Sequence, residues 1–426
     1  MFLLPYNLLW MIGLPAALVR LFWRGRKQPA YLHHLRERLG CYAAVVPKRV
    51  IWVHAVSLGE TRAAEPLVRA LLERWPAHTI VLTHMTPTGR EASENFFSGN
   101  SRVLRCWLPY DFIPFVECFL RHFRPEFGVV METELWPTLL DACHRRNIPV
   151  LLANARLSER SARRYARLPA LARLAFGLLS AAGAQSADDA ARLKALGTRQ
   201  VYVTGNIKFD MVPPPDALAL GERFRAFLGK RPVIFAASTR EGEEVLILDV
   251  FRRALSRNPQ AVLVLAPRHP QRFDEVETLI RAHGFVMARR SKGTDSVLPP
   301  ETRVWLGDSM GEMFAYYAAS NVALIGGSWL PFGGQNPIEA SAVGIPVLIG
   351  PHTFNFHQVT ADAVKAGAAR RFNDVEAALG AAFDLLEDTA ARTAMSSAGI
   401  AFATAHRGAT ARTIELLAGI STNTTA

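Results

Sequence analysis

Ile325-Gly326-Gly327-Ser328-Trp329-Leu330-Pro331-Phe332-Gly333-Gly334-Gln335-Asn336-Pro337-Ile338-Glu339-Ala340-Ser341-Ala342-Val343-Gly344-Ile345-Pro346 is the stretch on which the reading of this chain turns. Val322 to Ile325 predicts a buried strand, Gly326 to Gly334 a flexible loop, and Asn336-Pro337-Ile338-Glu339 the opening of a helix. Asn336 suits the cap, and Pro337 suits the first helical position, where a missing N–H costs nothing. The unpaired N–H groups of such a turn attract a phosphate. Beside them, Glu339 can accept hydrogen bonds from both hydroxyls of a ribose. Strand, glycine loop and capped helix make a nucleotide pocket; a plain capped helix after a loop has the same local sequence, so the rest of the chain must arbitrate.

Outward from this stretch, short β-rich runs alternate with amphipathic segments of helical length. Pro232 to Ala237, Ala261 to Ala266, Arg303 to Leu306 and Ile345 to Ile349 accompany Val322 to Ile325, and an earlier set comprises Arg49 to Val56, Thr79 to His84, Val103 to Trp107, Phe127 to Met131, Pro149 to Ala153 and Gln200 to Val203. Strands apolar on both faces, alternating with helices, imply parallel sheets covered on both sides. The expected fold is therefore α/β with two Rossmann-like doubly wound domains, at 28–211 and 231–395. A proline-stiffened linker (212–230) joins them, and a helix at 396–420 follows, with a polar tail at 421–426. Two such domains offer places for two substrates, beyond the carboxyl ends of their strands.

Several strand ends carry chemistry. His54-Ala55-Val56-Ser57-Leu58-Gly59-Glu60 sets Glu60 in the first turn of a helix, a position for a general base, though the helix dipole alone also favours glutamate there. Glu132 and Glu134 follow another strand beside Trp136, suited either to hold a hydroxyl-bearing acceptor or to cap the next helix. In the second set, Ser238 and Thr239 supply hydroxyls, and Arg268 with His269 places a guanidinium fork where a phosphate can meet it. Met310, Gly311 and Glu312 open one more helix. Four such turns on one sheet edge favour the nucleotide reading.

The 426 residues carry 49 Lys and Arg against 37 Asp and Glu, a net charge of +12, so an anionic partner is expected. Four scattered cysteines without a Cys-x-x-Cys pair, and no His-Glu-x-x-His or Asp-x-Asp pattern, argue against a disulfide framework and against a metal site. No cofactor is expected. Met1 to Val19 is uncharged and apolar and runs into Arg20, Arg24, Arg26 and Lys27, so residues 1–27 read as a membrane anchor that leaves the remainder cytoplasmic. Pro5, Asn7, Gly13 and Pro15 make a helix lying in the membrane interface the rival. Arg160 to Arg173, basic and amphipathic, suits either anionic lipid or a plain solvated helix face. Nucleic acid is not expected, because aromatic platforms are missing from the basic surface.

Taken in order, His54 to Glu60, Met131 to Pro137, Gly205-Asn206-Ile207-Lys208-Phe209-Asp210, Pro267-Arg268-His269, Met310-Gly311-Glu312, Asn336-Pro337-Ile338-Glu339 and Gly350-Pro351-His352-Thr353-Phe354-Asn355-Phe356 resemble the 3-deoxy-D-manno-octulosonic acid (Kdo) transferases of lipopolysaccharide synthesis along essentially the whole chain. The resemblance implies a GT-B fold, whose last helix crosses back to the first domain. It also implies CMP-Kdo as donor, a lipid A precursor (lipid IVA) as acceptor, and the inner membrane as location. It places the proton acceptor on Glu60 and the CMP contacts on Arg268, His269, Met310, Gly311, Glu312, Asn336, Pro337, Ile338 and Glu339. Lys208 is the candidate for the Kdo carboxylate, with Glu132, Glu134, Ser238 and Thr239 as further acceptor or Kdo contacts. Gln335 stands where the family commonly has histidine, a departure in the pocket wall. A nucleotide-sugar epimerase of the same fold is the alternative enzyme, and a membrane-bound nucleotide sensor the non-enzymatic one.

Overall fold

A computed structural model describes residues 3–43 and 49–422, and its chain divides into two units: Met1–Asp210 with Arg407–Ala426, and Met211–His406. The first unit is built on seven parallel strands: β1 (Val50–His54), β2 (Thr79–His84), β3 (Val103–Trp107), β4 (Phe127–Met131), β5 (Val150–Ala155), β6 (Ala181–Ala184) and β7 (Val201–Val203). Their spatial order is β3-β2-β1-β4-β5-β6-β7. β1 is flanked by β2 and by β4, in register from Ile51 against Phe127 to His54 against Val130. β1, β2, β4 and β5 are buried at every position, as a sheet covered on both faces requires. Trp52, Phe119, Phe123 and Phe176 fill one face, while Ile51, Val53, Leu67, Leu71 and Leu417 fill the other.

The second unit repeats the plan with β8 (Val233–Thr239), β9 (Val262–Pro267), β10 (Met287–Arg289), β11 (Val304–Leu306), β12 (Val322–Ile325), β13 (Val347–Ile349) and β14 (Ala369–Arg371). The order is β10-β11-β9-β8-β12-β13-β14, again all parallel. Each sheet thus has a point where successive connections depart in opposite directions, between β1 and β4 and between β8 and β12. Loops that diverge there leave room for a ligand.

Several expectations are corrected. β6, β10 and β14 escape the sequence reading: β6 is Ala-Ala-Gly-Ala without a β-branched residue, and the other two are three-residue edge strands. The 212–230 linker is mostly a helix, Pro215–Leu228, started by Pro215 in the first turn and packed through the buried Phe224 and Phe227 into the second unit. The expected 396–420 helix is two helices, Thr389–Ala405 in the second unit and Ala409–Thr422 in the first. Gly408, at φ 93°, breaks them. Asp210 accepts hydrogen bonds from the N–H groups of Gly408 and Thr410, and Ala409 and Leu417 join the first unit's core. Of the polar tail, residues 423–426 lie outside the described residues.

The N-terminal helix α1 (Leu3–Lys27) exposes an apolar face up to Val19, with Leu9, Ile12 and Val19 each about 70% exposed, and a basic end at Arg20, Arg24, Arg26 and Lys27. It is long and apolar enough to cross a membrane. Its inner face is tied to the body near both ends. Asn7 is buried, donates to Thr138 Oγ1 at 3.1 Å and accepts from Ile113 N at 2.9 Å, while Gly25 lies against Leu32.

The glycine loop after β12 is held by a carboxylate that the sequence reading passed over. Glu243, fully buried, accepts the N–H groups of Arg240 (2.8 Å), Gly327 (2.7 Å), Trp329 (2.9 Å) and, more weakly, Leu330 (3.4 Å). Gly326 is required by close approach: a Cβ there would lie 2.5 Å from Ser238 O. Replacing Glu243 by alanine strands these donors in the interior, so Glu243→Ala should cost about 3 kcal/mol or more in urea denaturation.

Candidate active site

In the first unit the segments after β1, β4 and β7 carry four of the expected residues, Glu60, Glu132, Glu134 and Lys208. Ser57 caps helix Leu58–Arg74 by accepting from Glu60 N, which turns the Glu60 side chain back toward the strand end. There its carboxylate accepts Val56 N–H at 2.8 Å and Ser57 Oγ–H at 2.9 Å, a capping box with a long reach. Glu60 is only 8% exposed. Burial is the main force on its proton, the charges of Glu132 and Glu134 add to it, and the two hydrogen bonds only partly compensate, so its pKa rises to about 7. That value suits a group that must take a proton near neutrality.

Glu132 follows β4 in a left-handed conformation, φ 58°, and accepts from Lys208 Nζ at 3.1 Å. Glu134 is raised by its burial and then by Glu132. The same unit buries several neutral polar groups at or near its strand ends. His54 and His84 are buried, and burial foremost lowers each to about 3. His54 Nε2, His84 Nε2, Trp136 Nε1 and Asn154 Nδ2 have no hydrogen-bond partner among the described residues.

In the second unit the remaining candidates all stand at the carboxyl ends of parallel strands. Ser238, at φ 56°, and Thr239 end β8; Arg268 and His269 follow β9, with Arg268 N bonded to Thr239 O at 2.9 Å. Thr239 Oγ1 is turned inward onto Glu244 at 2.8 Å, so it supports the strand end from below. Glu244 in turn is paired with Arg272 at 2.7 Å, both buried. Burial first, and then Arg240, Arg268 and Arg272, holds His269 below its ordinary pKa, the mark of a cation-rich corner. Arg240 lies 4.6 Å over the Phe332 ring.

After β11, Glu312 takes both forks of Arg290 at 3.0 Å and a hydrogen bond from Ser309. Its carboxylate is therefore committed, and the segment presents half-exposed Met310 and the exposed Gly311. After β12 the loop runs to helix Ile338–Val343. The helix begins one residue later than expected, with Pro337 at the cap, yet Asn336 Oδ1 still accepts Ile338 N–H at 3.1 Å. Asn336 Nδ2 reaches Glu339 at 3.3 Å. Glu243, Glu244 and Arg272 are the functional supports missed from sequence. The only signal was Glu243-Glu244 at a helix start, indistinguishable from ordinary dipole placement.

Two doubly wound parallel sheets, one ending in a buried carboxylate of raised pKa and the other in glycine loops flanked by arginine, have the architecture of the GT-B class. The family model described as 3-deoxy-D-manno-octulosonic-acid transferase (kdotransferase) matches residues 33–211. A 3-deoxy-D-manno-octulosonic acid transferase of Bordetella pertussis is 45% identical over 386 residues, 89% of each chain. One of Haemophilus influenzae is 38% identical over 419 residues, 97% of each. The chain belongs to the Kdo transferase family and is a glycosyltransferase. A UDP-GlcNAc 2-epimerase from Neisseria meningitidis is 17% identical, with a TM-score of 0.55 over 87% of this chain and 100% of that one. That likeness shows the fold alone.

The raised Glu60 pKa has a consequence for stability. A carboxyl that holds its proton more tightly when folded favours folding below its ordinary range, and this contribution is lost as pH climbs from 4.5 to about 7. Glu60→Gln should therefore match the wild type near pH 4 and exceed it by about 1–3 kcal/mol at pH 8, measured by urea denaturation at the two pH values.

Proposed function

We propose that the chain transfers Kdo from CMP-Kdo to a sugar hydroxyl of a lipid A precursor, with inversion and without a metal. The observation that carries this reading is Glu60: a buried carboxylate at a sheet's switch point, poised near neutrality by its surroundings. Glu60 takes the proton of the acceptor hydroxyl as that oxygen bonds to the anomeric carbon of Kdo. The bond from that carbon to the phosphate oxygen breaks, its electron pair leaves with CMP, and the proton stays on Glu60. General-base assistance of this kind contributes about 10²- to 10⁴-fold.

Arg268, with His269 and the backbone around Met310 to Glu312, takes the leaving phosphate, and guanidinium here does what a divalent ion does elsewhere. Asn336 to Glu339 hold the ribose and base. Lys208, now on Glu132, is the cation assigned to the Kdo carboxylate. Glu132 and Glu134 orient the acceptor sugar, and the Ser238 hydroxyl completes the donor side with Thr239 behind it. The domain limits proposed above apply with the linker and last helices redrawn. For location we propose the inner membrane, with α1 lying in the interface: Asn7, near the start of the helix, is tied to the body, so a perpendicular span would drag that body into the bilayer.

With CMP-Kdo and a tetraacylated lipid A precursor, mass spectrometry of the lipid should show added Kdo, and excess EDTA should change the rate less than twofold. Glu60→Gln should lower kcat at least 10²-fold with CMP affinity near that of the wild type; a variant within a few-fold of wild type would sink the assignment of the base. The acid limb of kcat/KM should lie near pH 7, since only the ionised carboxylate accepts a proton. Glu132→Gln removes a charge that raises Glu60, so the limb should move to lower pH.

A further inference from the structure

The inner face of α1 does not close onto the body. Between them lies a cavity of about 670 Å³, walled on one side by Trp10, Ala17 and Leu21 of α1 and on the other by Met85 and Tyr110. Its floor includes Val56, the residue whose N–H holds the Glu60 carboxylate. Three arginines line this largely apolar space: Arg20 and Arg24 from α1, and Arg38 from the body.

Arg38 is the unusual one. It is 2% exposed and stacked 4.1 Å over the Trp107 ring. Among the described residues its one side-chain hydrogen bond goes to Met85 O at 3.3 Å, its Nε has no partner, and it forms no ion pair. The adjacent carboxylate, Glu37, is taken by Arg90 and by Trp107 N, each at 2.8 Å. A buried guanidinium without an anion is costly, and a ligand anion relieves that cost.

We propose that this cavity seats the lipid end of the acceptor. The phosphate of a phosphorylated glycolipid meets Arg38, Arg24 and Arg20, and the first carbons of its acyl chains lie along the apolar wall of α1. This rests on the transfer reading given above. A space of this size falls within the roughly 300–1,000 Å³ of ligand pockets, enough for a sugar phosphate and the roots of its chains, while the rest of the tails stay in the bilayer. Continuity with Val56 directs the sugar toward Glu60. On this view α1 is a wall of the substrate site as well as an attachment.

The test is acceptor kinetics in detergent, with the phosphorylated lipid A precursor, its dephosphorylated form and its deacylated form. Arg38→Gln and Arg24→Gln should raise KM for the phosphorylated acceptor about tenfold, leave KM for CMP-Kdo within twofold, and lose that penalty on the acceptor lacking the phosphate. Gly13→Phe fills the cavity, and a Cβ at Gly13 meets nothing within 4 Å, so this variant and Arg24→Gln remain informative even where Arg38→Gln fails to fold. It should raise KM for the acylated acceptor and spare the deacylated one. Unchanged KM in Arg24→Gln and Gly13→Phe overturns the proposal, as does an equal penalty on all three acceptors. Weaker flotation with phosphatidylglycerol vesicles at unchanged KM also overturns it, assigning the arginines to bulk lipid. A wild-type enzyme that transfers Kdo to none of these acceptors overturns the transfer reading itself, and that failure is visible before any variant is made.

Discussion

A strand buried on both faces and parallel to both neighbours can present its chemistry only where it ends. The groups assigned to the transfer step itself obey that constraint. Glu60 follows β1, Glu132 and Glu134 follow β4, Ser238 follows β8, Arg268 follows β9, and the glycine loop follows β12. The interiors of these strands hold almost nothing that ionises, because an uncompensated charge there would have no solvent. His54 and His84, the last residues of β1 and β2, are still buried, and both are held neutral.

Buried carboxylates serve three different ends here. Glu243 accepts three close N–H groups and one longer one and fixes a loop. Glu244 faces Arg272 and the Thr239 hydroxyl, so it anchors a strand end by charge and hydrogen bond together. Glu60 has two donors and two acidic neighbours, and its pKa is raised to about 7. Burial raises the proton affinity of a carboxylate, and each donor it gains works against that.

Much of this was legible in advance. Runs rich in Val, Ile and Leu announced the central strands, and glycine, asparagine and proline announced the turns after β12, since both signals depend on local backbone preference. What escaped lacked local expression. Ala181 to Ala184 becomes a strand only through its neighbours β5 and β7. Pro213-Pro214-Pro215 looks like a stiff linker until Phe224 and Phe227 find Trp305. Nothing in the local sequence marks Arg38 or Glu243 as buried, and their burial is set by segments far away in the chain. At the candidate site the residue types were readable, whereas the pairing of Glu312 with Arg290 and of Lys208 with Glu132 was not.

The tie between Asp210 and the segment at Gly408 makes the second unit an insertion within the first, entered and left at one point. The order of synthesis then matters. The amino-terminal sheet waits for its last helix, Ala409–Thr422, until all of the second unit has left the ribosome. Throughout that interval the surface that Leu417 will cover stands open, so the earlier-made unit is the later one to finish folding, and a nick near the carboxyl terminus injures the amino-terminal half.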